Sequence, residues 1–200
     1  MLKALLLALV VTLSLSAESV KPPDAVVRIV VEEKQGGPAC GSGALILDRR
    51  TVVTNYHVVK DAKSIRILFP SWDVFNCTLV KKSKSLDLAV LRMTRPASVS
   101  PLPLGSKPKT GDVLTIWGYG HGIPGSDSGR MTDTNFVDAW LIELKAVARQ
   151  GDSGGPILNS KGEYVGTLSA SDNKITVGTH VDAVRHYIGA KKSGKKRRLY

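Results

Sequence analysis

Ser153 stands in Gly151-Asp152-Ser153-Gly154-Gly155-Pro156, where two glycines after the serine let the backbone bend sharply and let a substrate carbonyl come close. A serine hydroxyl is a weak nucleophile until a neighbouring base takes its proton, and that base needs a third group to hold its tautomer. Both residue types occur upstream. His57 lies in Thr54-Asn55-Tyr56-His57-Val58-Val59, and Asp87 lies in Leu86-Asp87-Leu88-Ala89-Val90-Leu91. A carboxylate in so apolar a run is costly unless paired, and a bond to the ring of His57 would pair it. Asp61 and Asp73 compete for that role from polar, loop-like contexts. The expected chemistry is acyl transfer, with Ser153 as nucleophile, His57 as general base and then acid, and Asp87 as the orienting group.

Short strands must carry these residues. Apolar runs broken by Gly, Pro, Asn and Asp predict strands at 26–31, 44–47, 51–54, 65–69, 77–80 and 89–93. A second set follows at 113–117, near 136–144, and at 156–158, 164–168 and 175–177. Strands this short and this frequent point to a barrel or sandwich. Residues 96–110, with four prolines, read as the crossing between the halves, and 159–162 as a turn. The last element reads as a helix that Thr179 could cap, with Val181, Val184 and Ile188 on one face. His57 and Asp87 then belong to the first half and Ser153 to the second, which predicts a site in the cleft between them.

With these motifs in the order His, Asp, Ser, residues 24–188 resemble the trypsin/chymotrypsin-like serine proteases. Gly41-Ser42-Gly43-Ala44-Leu45-Ile46 followed by the His57 motif is similar to the HtrA/Deg type. The nucleophile segment is closer to the trypsin pattern, since HtrA-type proteins usually carry Asn at the position of Asp152. The resemblance implies an all-β fold of two six-stranded Greek-key barrels, at about 24–95 and 111–178, with a short C-terminal helix at about 180–188. It implies an oxyanion hole from the backbone N–H groups of Gly151 and Ser153, and a Ser169 hydroxyl bonded to the triad aspartate. It also implies a substrate pocket of Val147, Ala148, Leu168, Ala170, Ser171 and Thr176. Val147 stands where trypsin-like enzymes place an aspartate, so cleavage is expected after small or medium apolar residues.

Asp152 occupies the position that receives a new N-terminus in zymogen-type relatives. No Ile-Val-Gly-Gly-like start occurs near residues 25–31, so either the loop is ordered otherwise or Asp152 meets Arg149 or another cation. Cys40 sits where the animal proteases also have a cysteine, but the position of their partner is Val58 here. A Cys40–Cys77 disulfide therefore stays open against two reduced, buried thiols.

Two hundred residues allow one ordinary domain or two small barrels acting as one. Lys3, the apolar run 4–13 and the small residues after it read as a signal peptide over 1–19, with cleavage after Ser16 or Ser19. The run is too short to span a membrane and no second one approaches that length, so the expected location is secreted or periplasmic. The formal charge of +11 is concentrated at the end of the chain, with six cations among residues 191–198 of a basic, disordered 189–200 tail. Such a tail could touch an anionic surface or simply be solvated. Too few residues follow the helix for a PDZ domain, and a monomer is expected. His121 in Gly118-Tyr119-Gly120-His121-Gly122 has no ligand cluster around it, and His180 and His186 are expected to face solvent. No metal or cofactor is expected, and there is no specific nucleic-acid readout. The leading reading is an exported serine endopeptidase acting on peptides or proteins. The alternative is a catalytically idle protease-fold binding module with a basic surface.

Overall fold

The computed structural model describes residues 22–132, 140–172 and 174–189; the signal peptide expected at 1–19 and the cations from Lys191 onward lie outside them. Six antiparallel strands form the first half: β1 (Val26–Glu33), β2 (Pro38–Leu45), β3 (Thr51–Thr54), β4 (Ala62–Leu68), β5 (Val74–Ser83) and β6 (Leu88–Met93). They close into a barrel in the order β1-β2-β3-β6-β5-β4. Alternation drives the closure. In β4, Ile65 and Ile67 point inward while Arg66 between them is exposed, the period that puts alternate side chains on opposite faces. Ile29, Leu45, Ile67 and Leu91 are fully buried in this core.

The second half holds β7 (Val113–Gly118), β8 (Gly125–Arg130), β9 (Leu141–Leu144), β10 (Pro156–Leu158), β11 (Tyr164–Ser171) and β12 (Thr176–His180), in sheet order β8-β7-β10-β11-β12-β9. This sheet curls into a half-barrel. Met131 bridges Leu144, and Lys145 N–H donates to Arg130 O at 3.0 Å, which brings the two outer strands together. Leu114, Ile116, Ile142, Leu144, Ile157 and Leu168 fill a core of its own. The all-β, two-unit architecture is the one expected, and residues 96–110 do connect the halves without a strand of their own. The Asn159 turn is present, with Gly162 N–H on Asn159 O.

Several boundaries differ, each for a physical reason. β2 begins at Pro38, six residues before the apolar run, because its polar start pairs with β1. β8 reads Gly-Ser-Asp-Ser-Gly-Arg and has no apolar period to announce it; backbone pairing to β7 over Val113–Gly118 makes it a strand. The strand expected near 136–144 is observed as β9, residues 133–139 being outside the described ones. A one-turn helix, α1 (Tyr56–Val59), follows β3.

The C-terminal helix α2 (Val181–Ile188) is present with Val181 and Val184 buried. Its cap is the ring of His180, whose Nδ1 accepts from Asp182 N–H, and not Thr179, whose hydroxyl donates to Leu86 O. His180 is therefore buried, contrary to expectation, while His186 is exposed and stacks on Trp140. Arg185 of α2 donates to Leu104 O and Gly105 O in the connecting segment, and Val181 and Val184 join the core cluster that the first barrel shares with Trp117, Tyr119, Leu158 and Tyr164 of the second half.

Cys40 on β2 and Cys77 on β5 lie on strands that are not neighbours in the closed barrel, and both are free thiols. The disulfide is thus not formed. Cys40 is exposed, whereas Cys77 is half-buried with its thiol donating to Ile65 O, and burial pushes that thiol up to about 12. Because the thiolate is the reactive form, iodoacetamide at pH 8 should alkylate Cys40 quickly and Cys77 only after unfolding. Peptide mapping by mass spectrometry against time and denaturant checks this; equal labelling rates in the native protein would contradict it.

Candidate active site

His57 is delivered by α1, one turn after β3 ends, and Asp87 by the turn that opens β6. Asp87 Oδ2 lies 2.7 Å from His57 Nδ1, and Asp87 Oδ1 accepts the His57 backbone N–H at 3.0 Å. The carboxylate thus holds both the ring and the main chain of one residue. A carboxylate acceptor at Nδ1 keeps the proton there and leaves Nε2 to act as base.

Asp87 is not a buried strand residue, as its apolar neighbours suggest. It adopts φ +47°, in the left-handed region, and its side chain is 31% exposed. Its position in the turn before β6 sends Leu88 to Leu91 into the core and leaves the carboxylate at the rim of the barrel. Asn55 supports it from beneath. This side chain is fully buried, and its Nδ2 donates to Asp87 O at 2.9 Å and to Ser169 Oγ at 3.2 Å. Ser169 therefore reaches the aspartate through Asn55 and not by a direct bond. Thr179 supports the same loop from the second half through Leu86 O. Asn55 was legible only as the residue two before the histidine; its buried amide is what the sequence reading missed.

Ser153 is fixed by backbone bonds to both halves. Its carbonyl accepts from Ser42 N–H of β2 at 2.8 Å, and the next residue, Gly154, donates to Leu168 O of β11 at 2.9 Å. Gly154 has φ +86°, and a Cβ there would lie 2.2 Å from Thr54 Oγ1 and 2.3 Å from Ser42 O, so only glycine fits. Among the described residues no hydrogen bond joins Ser153 Oγ to His57. In unliganded sites that contact is often long and tightens with substrate.

Gly151 and Asp152 shape the loop in front of the serine. Gln150 O accepts from His121 N–H at 2.8 Å, and Gly151 O accepts from the buried Ser42 hydroxyl at 2.7 Å. A trans peptide sets C=O and N–H on opposite sides, so the Gly151 N–H points away from the His121 turn. Among the described residues the Gly151 and Ser153 N–H groups are not engaged by another acceptor.

Asp152 is 5% exposed and accepts from four N–H groups: Gly120 N at 2.6 Å, and the backbone N, Nε and Nη2 of Arg149 at 2.7, 3.2 and 3.1 Å. Arg149 is thus the cation that Asp152 meets. The glycine-rich turn exists to admit this pair, since a Cβ on Gly118 would lie 2.5 Å from Asp152 Oδ1 and one on Gly120 2.5 Å from Arg149 Cβ. That assigns 118–122 a packing role and leaves no metal cluster among the described residues.

The pocket residues are brought together in part. Ala148 N–H donates to Ser171 Oγ at 3.2 Å, and buried Thr176 Oγ1 donates to Ala146 O and lies 3.0 Å from Ser171 Oγ. Val147 and Ala170 are exposed. Leu168 packs its side chain into the core at 1% exposure and meets the nucleophile loop through its backbone. Asp127 of β8, not anticipated, also reaches the pocket, its Oδ2 accepting Val147 N–H at 2.7 Å and its Oδ1 accepting Ser128 N–H.

The family model for the trypsin-like peptidase domain matches residues 41–166. Over 147 residues the chain is 29% identical to the serine endoprotease DegS of Salmonella typhimurium, covering 69% of this chain and 41% of that protein. The chain thus spans less than half the length of this relative. Its fold is similar to that of the serine endoprotease from Yersinia pestis, with TM-score 0.76 and 24% identity over 83% of this chain and 62% of that one. It is also similar to the Rv3671c protease from M. tuberculosis in its active form, with TM-score 0.74 and 23% identity over 86% and 84%.

Removing Arg149 leaves the Asp152 carboxylate buried with fewer donors, and the loop carrying Gly151 loses its brace. Arg149 is 37% exposed, so solvent offsets part of the loss. Arg149→Gln should lower stability by about 1–2 kcal/mol in denaturant titration. It should lower kcat on a peptide by about tenfold, the amount expected when a loop that presents oxyanion donors loosens. Unchanged kcat would show that the pair does not order the loop.

Proposed function

Because the chain belongs to the trypsin-like peptidase domain family, we propose that it is an exported serine endopeptidase working through an acyl-enzyme. The observation that carries this reading is the Asp87 carboxylate gripping both Nδ1 and N–H of His57, on the same rim where Ser42 N–H holds the Ser153 carbonyl. Ser153 attacks the scissile carbonyl while His57 Nε2 takes its proton. The Gly151 and Ser153 N–H groups receive the developing oxyanion, and Asp87 stabilises the imidazolium. His57 then protonates the leaving amine, and water repeats the sequence to release the acid.

The residue before the cut is proposed to be small or medium and apolar. Val147 brings no charge to the pocket, and the carboxylates of Asp127 and of Asp172, next to Ser171, are each held by two backbone N–H groups. Export is supported by the charged, apolar, small-residue order of residues 1–19. Among the described residues no helix is long and apolar enough to cross a membrane.

Fluorophosphonate labelling of the mature protein should modify Ser153 and should fail in Ser153→Ala. Ser153→Ala and His57→Ala should each reduce kcat by on the order of 10⁶, with the double variant little worse than either. Near wild-type hydrolysis by a clean Ser153→Ala preparation would defeat the mechanism. A peptide library read by mass spectrometry should show Val, Ala or Leu before the cut; a preference for Lys or Arg would overturn the pocket assignment.

The cations at 191–198 are proposed to add contact with anionic surfaces. Truncation after Ala190 should leave small-peptide turnover near wild type and reduce retention on anionic vesicles at low salt, since exposed charges act over about 10 Å at ordinary ionic strength and farther as salt falls. Equal retention of the two forms would reduce the tail to a solvated end.

A further inference from the structure

Arg28 of β1 lines a cleft of about 470 Å³ together with Ala39, Cys40, Tyr119, Gln150 and Gly151. The cleft shares Gly151 with the oxyanion donors. Apart from Gln150, on the same loop, the rest of it comes from the first barrel and the His121 turn, whereas the pocket around Ala148, Ser171 and Thr176 belongs wholly to the second unit. A peptide whose scissile carbonyl faces Gly151 and whose preceding residue enters that pocket must carry its leaving-group side into the Arg28 cleft.

The cation there is unusually short of partners. Arg28 Nη2 donates to Cys40 Sγ at 3.3 Å, a weak acceptor, and the buried Nε has no hydrogen-bond partner. By contrast Arg149, next to Gln150 in the chain, is matched by Asp152. Among the described residues no acidic one lines the cleft. On its other side the Arg28 guanidinium borders a second, largely apolar cleft of about 260 Å³ that includes Leu68, Phe69 and Trp72. A half-buried guanidinium whose Nη1 has no acceptor among the described residues, in a cleft that the substrate has to cross, has the chemistry of a carboxylate receptor.

We propose that Arg28 is a specificity-determining residue that accepts a Glu or Asp side chain on the leaving-group side of the scissile bond. The proposal rests on the peptidase reading above and adds a substrate class to it, an acidic residue shortly after the cut.

The test uses internally quenched peptides with one apolar residue before the cut and Glu, Gln or Lys at each of the first three positions after it. At one of these positions wild type should favour Glu over Gln by about tenfold in kcat/KM, as expected for one charge-assisted hydrogen bond. In Arg28→Gln that ratio should fall to near one. Each ratio is taken within one protein, so a smaller folded fraction cancels. A ratio that stays the same in the variant, or the absence of a Glu preference in wild type, overturns the proposal. The same peptides titrated by fluorescence anisotropy onto Ser153→Ala read the preference without turnover. A Glu preference there that disappears in Ser153→Ala/Arg28→Gln upholds the subsite even if no peptide is hydrolysed, and the failure then belongs to the peptidase reading. Equal binding of the Glu and Gln peptides to Ser153→Ala overturns the subsite.

Discussion

A carboxylate removed from water must be surrounded by donors, and the shape of the nucleophile loop follows from how Asp152 meets that requirement. Its four N–H donors come from Gly120 and Arg149 alone. Satisfying them draws the 118–122 turn onto the loop, and that turn then takes the Gln150 carbonyl through His121 N–H. Gly151 is oriented as a consequence. Ordering by an arginine three residues away in the chain requires no newly cut terminus, since both charges are present as soon as the chain folds. His121 absorbs the geometric cost with φ +53°, a conformation that residues with a side chain seldom adopt.

The cleft is stitched by main-chain bonds and small hydroxyls more than by large side chains. Ser42 is the junction: its N–H holds Ser153 O, its hydroxyl bridges Tyr119 N–H to Gly151 O, and its carbonyl accepts from Thr54. A residue with a longer side chain would separate the two halves at this point. Asn55 performs the matching task for Asp87, coupling it to Ser169 across the interface. Ser153, His57 and Asp87 therefore depend on contacts that each half makes with the other.

Much of this was legible in the chain because the informative residues are local. His57, Asp87 and Ser153 sit in short motifs whose composition implies their chemistry, and the buried apolar runs of β3, β6, β7 and β10 are continuous enough to read. The rest was hidden for definite reasons. β8 is a strand through pairing alone, with no apolar face to mark it. Asp87 looked buried because its neighbours are apolar, but a single left-handed residue turns the carboxylate outward before the strand begins. The roles of Asn55, Ser42 and Arg28 come from partners far away in sequence, and no local pattern encodes those distances. Arg149 was foreseeable, since an unpaired acid in a tight loop implies a cation within reach.

The seating of α2 bears on how the molecule comes into being. This helix is the last element of the described chain, yet its Val181 and Val184 belong to the core cluster that includes the barrel built first, and its Arg185 clasps the connecting segment at Leu104 and Gly105. During vectorial emergence of the chain, the early barrel keeps an uncovered apolar patch until the final helix arrives to close it. Assembly is consequently cooperative from end to end: an amino-terminal fragment carries His57 and Asp87 without a finished core, and the cleft matures in the same event that seals the hydrophobic interior.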